Sequence, residues 1–267
     1  MTILMRGLIV LALAVIVALA QEASPREEDP PRSLLARLAS SDEEQRLDAL
    51  MEVAGMFSKS SGEADFSVIT ATAVAMRNDL SPVVRALAAR ALEVCGDPRA
   101  AEPLISALGS EREVAVRKAI IYGLARHPSG RAPQAASALI PLLNDKQREI
   151  RGASAFALAE IRDPSSAGPL LELLRKRGKD EDAFARSQAA RALGFLGDRS
   201  AIEPLLKLLT KDKWPDVRRE AAGSLGRLAA PQDATVMEAL RDAVLASDPY
   251  LAIAAGEAIA AINSRSR

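Results

Sequence analysis

The sequence is short of the residues on which most active sites and most sheet proteins are built. Only 3% of its 267 residues are aromatic, one is cysteine and one is histidine. A single cysteine excludes an intrachain disulfide. Few aromatics, with the apolar fraction carried by Ala and Leu, favour closely packed helices over a sheet sandwich. Charge of neither sign is in excess, with 35 basic and 35 acidic residues. No strong field therefore draws the chain to nucleic acid or to an acidic surface. No Gly-Lys-Ser/Thr loop cradles a phosphate, no Cys–His pair offers a nucleophile, and no spacing suits a metal. The acidic run DEDAF (180–184) opens a helix, where acids are expected. The expectation is a chain with no catalytic residues, no cofactor and no metal, and hence no enzyme.

The N-terminus holds the one long apolar run. MTILMR precedes GLIVLALAVIVALA, 14 residues from Gly7 to Ala20. Arg6 supplies a positive flank and Ala18-Leu19-Ala20 a small-x-small cut site, the parts of a secretory signal peptide. The run is short of the roughly 20 residues of a membrane span; the alternative is an uncleaved N-terminal anchor. The polar, Pro-containing stretch that follows reads as a flexible leader. The expected organisation is a signal peptide at 1–20, a leader at 21–32, a repeat domain at 33–263 and a tail at 264–267. The mature chain is expected outside the cytoplasm, periplasmic or secreted.

The rest of the chain repeats itself. An acid is followed six residues later by Arg at Asp79 and Arg85, Glu111 and Arg117, Asp145 and Arg151, Asp180 and Arg186, and Asp212 and Arg218. The steps between these arginines are 32, 34, 35 and 32 residues. Arg46 fits as an earlier copy, and Ala252 as a last copy without the Arg. Each unit holds a short first helix, such as IEPLLKLL (202–209), and a longer second one, such as DVRREAAGSLGRL (216–228). Punctuation such as GDPRA (96–100) and GDRSA (197–201) separates them. No strand-like alternation lies between.

The motif of an acid, five residues, Arg, then A-A-x-A-L-G-x-L-G-D resembles the HEAT repeat, in the short bacterial form of phycobilisome-lyase HEAT-like proteins. The resemblance runs from residue 33 to 263. It implies an all-α fold, a right-handed α-solenoid of about seven helix pairs with the second helices lining a concave groove. It also implies that the acid and Arg form a ladder of charge-assisted hydrogen bonds between repeats. The ladder residues are then Asp79, Arg85, Glu111, Arg117, Asp145, Arg151, Asp180, Arg186, Asp212 and Arg218. Some HEAT-repeat hydroxylases hold iron with several His–Glu pairs, a set that one histidine cannot build.

Helical periodicity sorts the remaining positions. Counting from the residue before the aligned Arg at about 100° per residue, offsets +8 and +11 share the core face. Offset +8 holds Val53, Leu92, Leu124, Leu158, Leu193, Leu225 and Ile259; Cys95 and His127 fill the apolar +11 slot. Both are read as core residues, His127 at a helix C-terminus where a cation is favoured. Trp214 reads equally as a packing plug or as an exposed contact.

Offsets +2, +6 and +10 point away from the core. They gather Arg90, Tyr122, Arg126, Phe156, Glu160, Arg191, Phe195, Arg219 and Arg227. Three of the eight aromatic residues thus lie among arginines on the groove side. Aromatics among arginines are the usual anchors of a protein-binding surface. The other reading is that these long side chains shield one another and bind nothing. The expected function is an exported, non-enzymatic scaffold binding a protein or peptide of unknown identity, with no nucleic acid. The membrane enters only if the N-terminal segment stays uncleaved. The alternative is a chromophore lyase-like or cofactor-handling protein using the same groove. The apolar last repeat leaves room for self-association.

Overall fold

The computed structural model describes residues 30–59, 64–127, 133–175 and 182–265. Signal and leader residues 1–29, ladder residue Asp180 and tail residues 266–267 lie outside the described residues. Every regular element among the described residues is helical. None of these helices is long and apolar enough to cross a membrane. The chain forms two compact units, residues 1–123 and 124–267.

The first unit contains α1 (Pro30–Leu38), α2 (Glu43–Lys59), α3 (Phe66–Asn78), α4 (Pro82–Glu93) and α5 (Ala101–Leu108), and most of α6 (Val114–Arg126). The second contains α7 (Pro133–Leu139), α8 (Arg148–Ile161), α9 (Ala167–Arg175), α10 (Ala183–Leu196), α11 (Ile202–Lys211), α12 (Pro215–Leu228), α13 (Ala234–Val244) and α14 (Pro249–Ser264). In each unit helices consecutive in the chain pack as pairs, and the second helices of successive pairs pack side by side.

The local sequence explains the boundaries. Pro82, Pro215 and Pro249 occupy the first turns of α4, α12 and α14, where a missing N–H costs nothing. Asp97, Asp163 and Asp198 each accept an amide two residues on and start a single 3-10 turn. That turn feeds α5, α9 and α11, so the D-x-x punctuation is an N-capping device.

The core is the +8 stripe. Val53, Leu92, Leu124, Leu158, Leu193 and Leu225 are wholly buried, each contributing roughly 1.5–3 kcal/mol of transfer free energy. Cys95 and His127 are buried beside them in the +11 slot, and burial pushes the Cys95 thiol up, away from reactive thiolate. The stripe opens at the last helix, where Ile259 is half-buried.

In the second unit the long helices approach closely. A Cβ on Gly194 would lie 2.9 Å from the Ser224 Cα, and one on Gly226 would lie 2.7 Å from the Ala258 Cα. Only glycine lets these backbones approach so closely. Ser224 donates from Oγ to the Ala190 carbonyl at 2.8 Å, stitching α12 to α10. At the C-terminus Arg265 donates to the carbonyls of Gly226 and Ala229, satisfying acceptors around the end of α12.

Candidate partner face and arginine ladder

Two kinds of arginine share the long helices. The first kind forms the ladder. Arg46 donates from Nε to Asp79 at 2.6 Å, Arg85 to Glu111 at 2.7 Å and Arg186 to Asp212 at 2.8 Å. Each pair is two-pronged and largely buried. The Arg therefore binds the acid of the following repeat. Its own repeat's acid serves it through the backbone: Arg85 donates from Nη1 to the Asp79 and Leu80 carbonyls, and Arg151 to those of Asp145 and Lys146.

This gives the six-residue spacing its physical meaning. Asp79 takes Arg46 on its carboxylate and Arg85 on its carbonyl, while the same carboxylate accepts the Ser81 amide at the start of α4. Asp145 and Asp212 cap the amides of Gln147 and Trp214 likewise. Burial pushes the Glu111 carboxyl up, but Arg85 and the amides of Glu113 and Arg112 outweigh it and hold the group below its usual range.

Two repeats depart from this register. In both, the acid sits at the N-cap itself instead of three residues before the helix. Ahead of α10 the acid facing Arg151 is Asp182, at 3.6 Å; it also accepts the Ala185 amide. Ahead of α14 it is Asp248, and the residue that reaches it is Arg219, at 3.2 and 3.3 Å. Arg219 was assigned to the groove and Arg218 to the ladder; the structure exchanges them at this step. Asp182, also at a cap, is still met by the ladder Arg151, which is followed by Gly152; at Asp248 the residue after the ladder position is Arg219, long enough to take the acid. Arg218 is half-buried with its Nε unpartnered, and Arg117 is half-buried on α6.

The second kind of arginine lies on the stripe. In the first unit Arg90 is exposed and Tyr122 half-buried. In the second unit Arg126 is exposed and Phe156 half-buried. The structure gathers Glu160, Arg191, Phe195 and Arg227 into one cluster. The guanidinium carbons of Arg227 and Arg191 stand 4.4 and 5.5 Å from the Phe195 ring centre. Arg191 also donates to Glu160 at 3.0 Å. Arg219 leaves this group, held by Asp248 and by Asp216, with its guanidinium 5.1 Å from the Tyr250 ring. Trp214 is partly exposed at the start of α12, 5.5 Å from the Lys213 ammonium.

Two members of the cluster escaped the sequence reading. Arg162 stands closest to the Phe195 ring, at 4.2 Å. It follows α8 in the left-handed conformation, with φ 59°, and is the one non-glycine residue with positive φ among the described residues. The corresponding residue after α10 is Gly197, also left-handed. A side-chain-bearing residue there costs on the order of 1 kcal/mol. An Arg in a glycine slot was the available signal. Glu220 is the second. Burial pushes its carboxyl up, Arg191 and Arg227 pull it down, Asp216 adds to the push, and the net direction is up. Burial also lowers Arg227, Glu220 opposes that, and Arg191 and Arg162 reinforce it.

Three cations thus crowd one ring, with two carboxylates beside them. The ring's negative face attracts each cation, while the cations repel one another. Phe195 is not a bare aromatic anchor, because the chain's own guanidinium groups already cover it.

Comparison with known proteins bears on this architecture. HEAT repeats match at residues 69–151, 114–183, 136–226 and 169–260. No curated protein matches the chain. Among solved structures, the complex of CpcE and CpcF of phycocyanin lyase from a Nostoc species is similar at 23% identity and a TM-score of 0.49. It covers 91% of this chain and 97% of its own. Human deoxyhypusine hydroxylase is similar at 18% identity and a TM-score of 0.41, over 95% of this chain and 99% of its own. Both are named as enzymes, so the expectation of a non-enzymatic chain does not stand and is withdrawn. The repeat matches extend over residues 69–260, well beyond half of the 267 residues, so the chain belongs to the HEAT-repeat family.

Proposed function

We propose that this chain is an exported HEAT-repeat scaffold that holds a protein or peptide partner on the stripe face of α8, α10 and α12. The carrying observation is the Phe195 cluster. It sets an aromatic ring among Arg162, Arg191 and Arg227 on the side of these helices away from the core. Arginine and aromatic side chains dominate the energetics of protein interfaces. The edges of Arg162 and Arg227 are exposed, so a partner meets donors there before it meets backbone. The residues that hold the fold, Arg85, Arg186 and their acids, are spent on the ladder and are not part of this face.

Export rests on the N-terminal run and its cut site after Ala20. N-terminal sequencing of the chain recovered from the extracytoplasmic fraction should give a mature start just after that site. A start at Met1 in a membrane fraction would favour the anchored form. Affinity capture tests the face. Wild-type chain should retain a discrete partner from that fraction, and the double variant Phe156→Ala, Phe195→Ala should lose it with helicity intact. Retention by the double variant would overturn the assignment.

A further inference from the structure

The structure assigns a more specific chemistry to the same face, one that rests on the protein-binding reading above. We propose that Arg162 and Arg227 form a carboxylate-recognition site, and that the segment it takes is an acidic peptide. A guanidinium stacked on a ring spends its flat face on the aromatic and keeps its in-plane N–H groups free. Arg162 and Arg227 both hold the guanidinium carbon over the Phe195 ring, at 4.2 and 4.4 Å, the placement that such stacking requires. Neither makes a side-chain hydrogen bond or ion pair among the described residues, whereas Arg191 is already engaged by Glu160. Two pre-oriented forks with unspent donors match carboxylates, which arginine binds through paired hydrogen bonds.

Three further features agree. Each cation raises the cost of its neighbours' charge, and an incoming anion relieves that repulsion. Arg162 keeps a left-handed backbone that glycine adopts freely, as Gly197 does one repeat later. Retaining a side chain there brings a guanidinium to Phe195, and backbone strain of this kind is characteristic of binding sites. Gly223, on the same face of α12, presents only open space apart from Arg227 Nη1, 3.8 Å from where a Cβ would stand. A peptide backbone can therefore lie close to Arg227.

A peptide fits better than a nucleic acid. Phe195 is half-buried and already has three guanidinium groups over its ring, so a base would compete with them to stack there. Glu160 and Glu220 would repel a continuous phosphate backbone, but a peptide can space single carboxylates between them.

The test uses the full chain and three fluorescent probes: a short Glu-Ser peptide, its Gln-Ser counterpart and a single-stranded oligodeoxynucleotide. Anisotropy should show binding of the Glu-Ser peptide, weakening as salt rises, and little binding of the other two. Arg162→Gly should weaken the Glu-Ser peptide about tenfold, as should Arg227→Gln, each with an unchanged unfolding midpoint. Failure of the Glu-Ser peptide to bind, indifference to Arg162→Gly, or preferential binding of the oligonucleotide would each overturn the proposal. Equal binding of both peptides, lost in Phe195→Ala, would overturn the carboxylate chemistry and leave the protein-binding face standing.

Discussion

The ladder edge and the Phe195 face lie on the same helices and use the same residue type, yet they treat it oppositely. On the edge, Arg186 is clamped by both oxygens of Asp212, and the two side chains are only 12% and 7% exposed. On the face, Arg162 and Arg227 lie against a ring, exposed, with no carboxylate among the described residues hydrogen-bonded to them. The difference teaches that an arginine's neighbours decide its role more than its place in the repeat does. A clamped, buried guanidinium holds repeats together. One that lies against a ring without a hydrogen-bonded carboxylate is poised to meet something else.

The sharpest way to break the comparison is on the edge. Arg186→Ala leaves the Asp212 carboxylate buried without its partner and should cost about 3 kcal/mol, read as a lower urea midpoint at constant slope. A loss as small as that at an exposed ion pair would erase the distinction between edge and face. Next is the packing beneath both regions. Gly226→Ala forces a methyl group against the Ala258 backbone and should cost about 2 kcal/mol, whereas Gly223→Ala meets open space and should gain about 1 kcal/mol. Equal effects from the two would mean that α12 and α14 do not approach as closely as described.

Acidity sharpens the contrast further. The Glu220 carboxyl is raised, so the folded chain binds its proton more tightly than the unfolded chain does. Its charge therefore weakens the fold above that raised value, and the penalty disappears as pH falls through it. Glu220→Gln should stabilise the chain near neutral pH and lose that advantage at about pH 4, followed by thermal unfolding. Glu111 is lowered and works in reverse: its stabilisation is complete above the ordinary carboxylate range and is lost as pH falls below it. The smallest change in stability belongs to Arg162→Gly. Relief of the left-handed strain and loss of the ring contact offset each other to within about 0.5 kcal/mol.

Much of the fold was readable because the chain states it repeatedly. A slot filled by Val53, Leu92, Leu124, Leu158, Leu193 and Leu225 needs no structure to be recognised as core. The ladder was readable as a spacing, but its connectivity was not. That Asp79 serves two arginines through different oxygens depends on backbone geometry that spacing does not carry. The exchange of Arg218 for Arg219 occurs where Asp248 stands at the N-cap and the next residue is an arginine, not the glycine that follows Arg151, a difference that alignment on arginines hides. The stripe was readable as a face; its chemistry was not. Arginine is long enough to reach several neighbours, and periodicity cannot say that Arg191 and Arg227 converge on Phe195 while Arg219 turns away. Arg162 lay outside the helical count altogether, one residue past the end of α8.

The division of labour among arginines is tested most directly by measuring peptide affinity and urea midpoint together on Arg162→Gly. The account predicts a midpoint indistinguishable from wild type and an affinity for the Glu-Ser peptide about tenfold lower. A lowered midpoint with affinity unchanged would contradict it, because Arg162 would then belong with the residues that hold the fold.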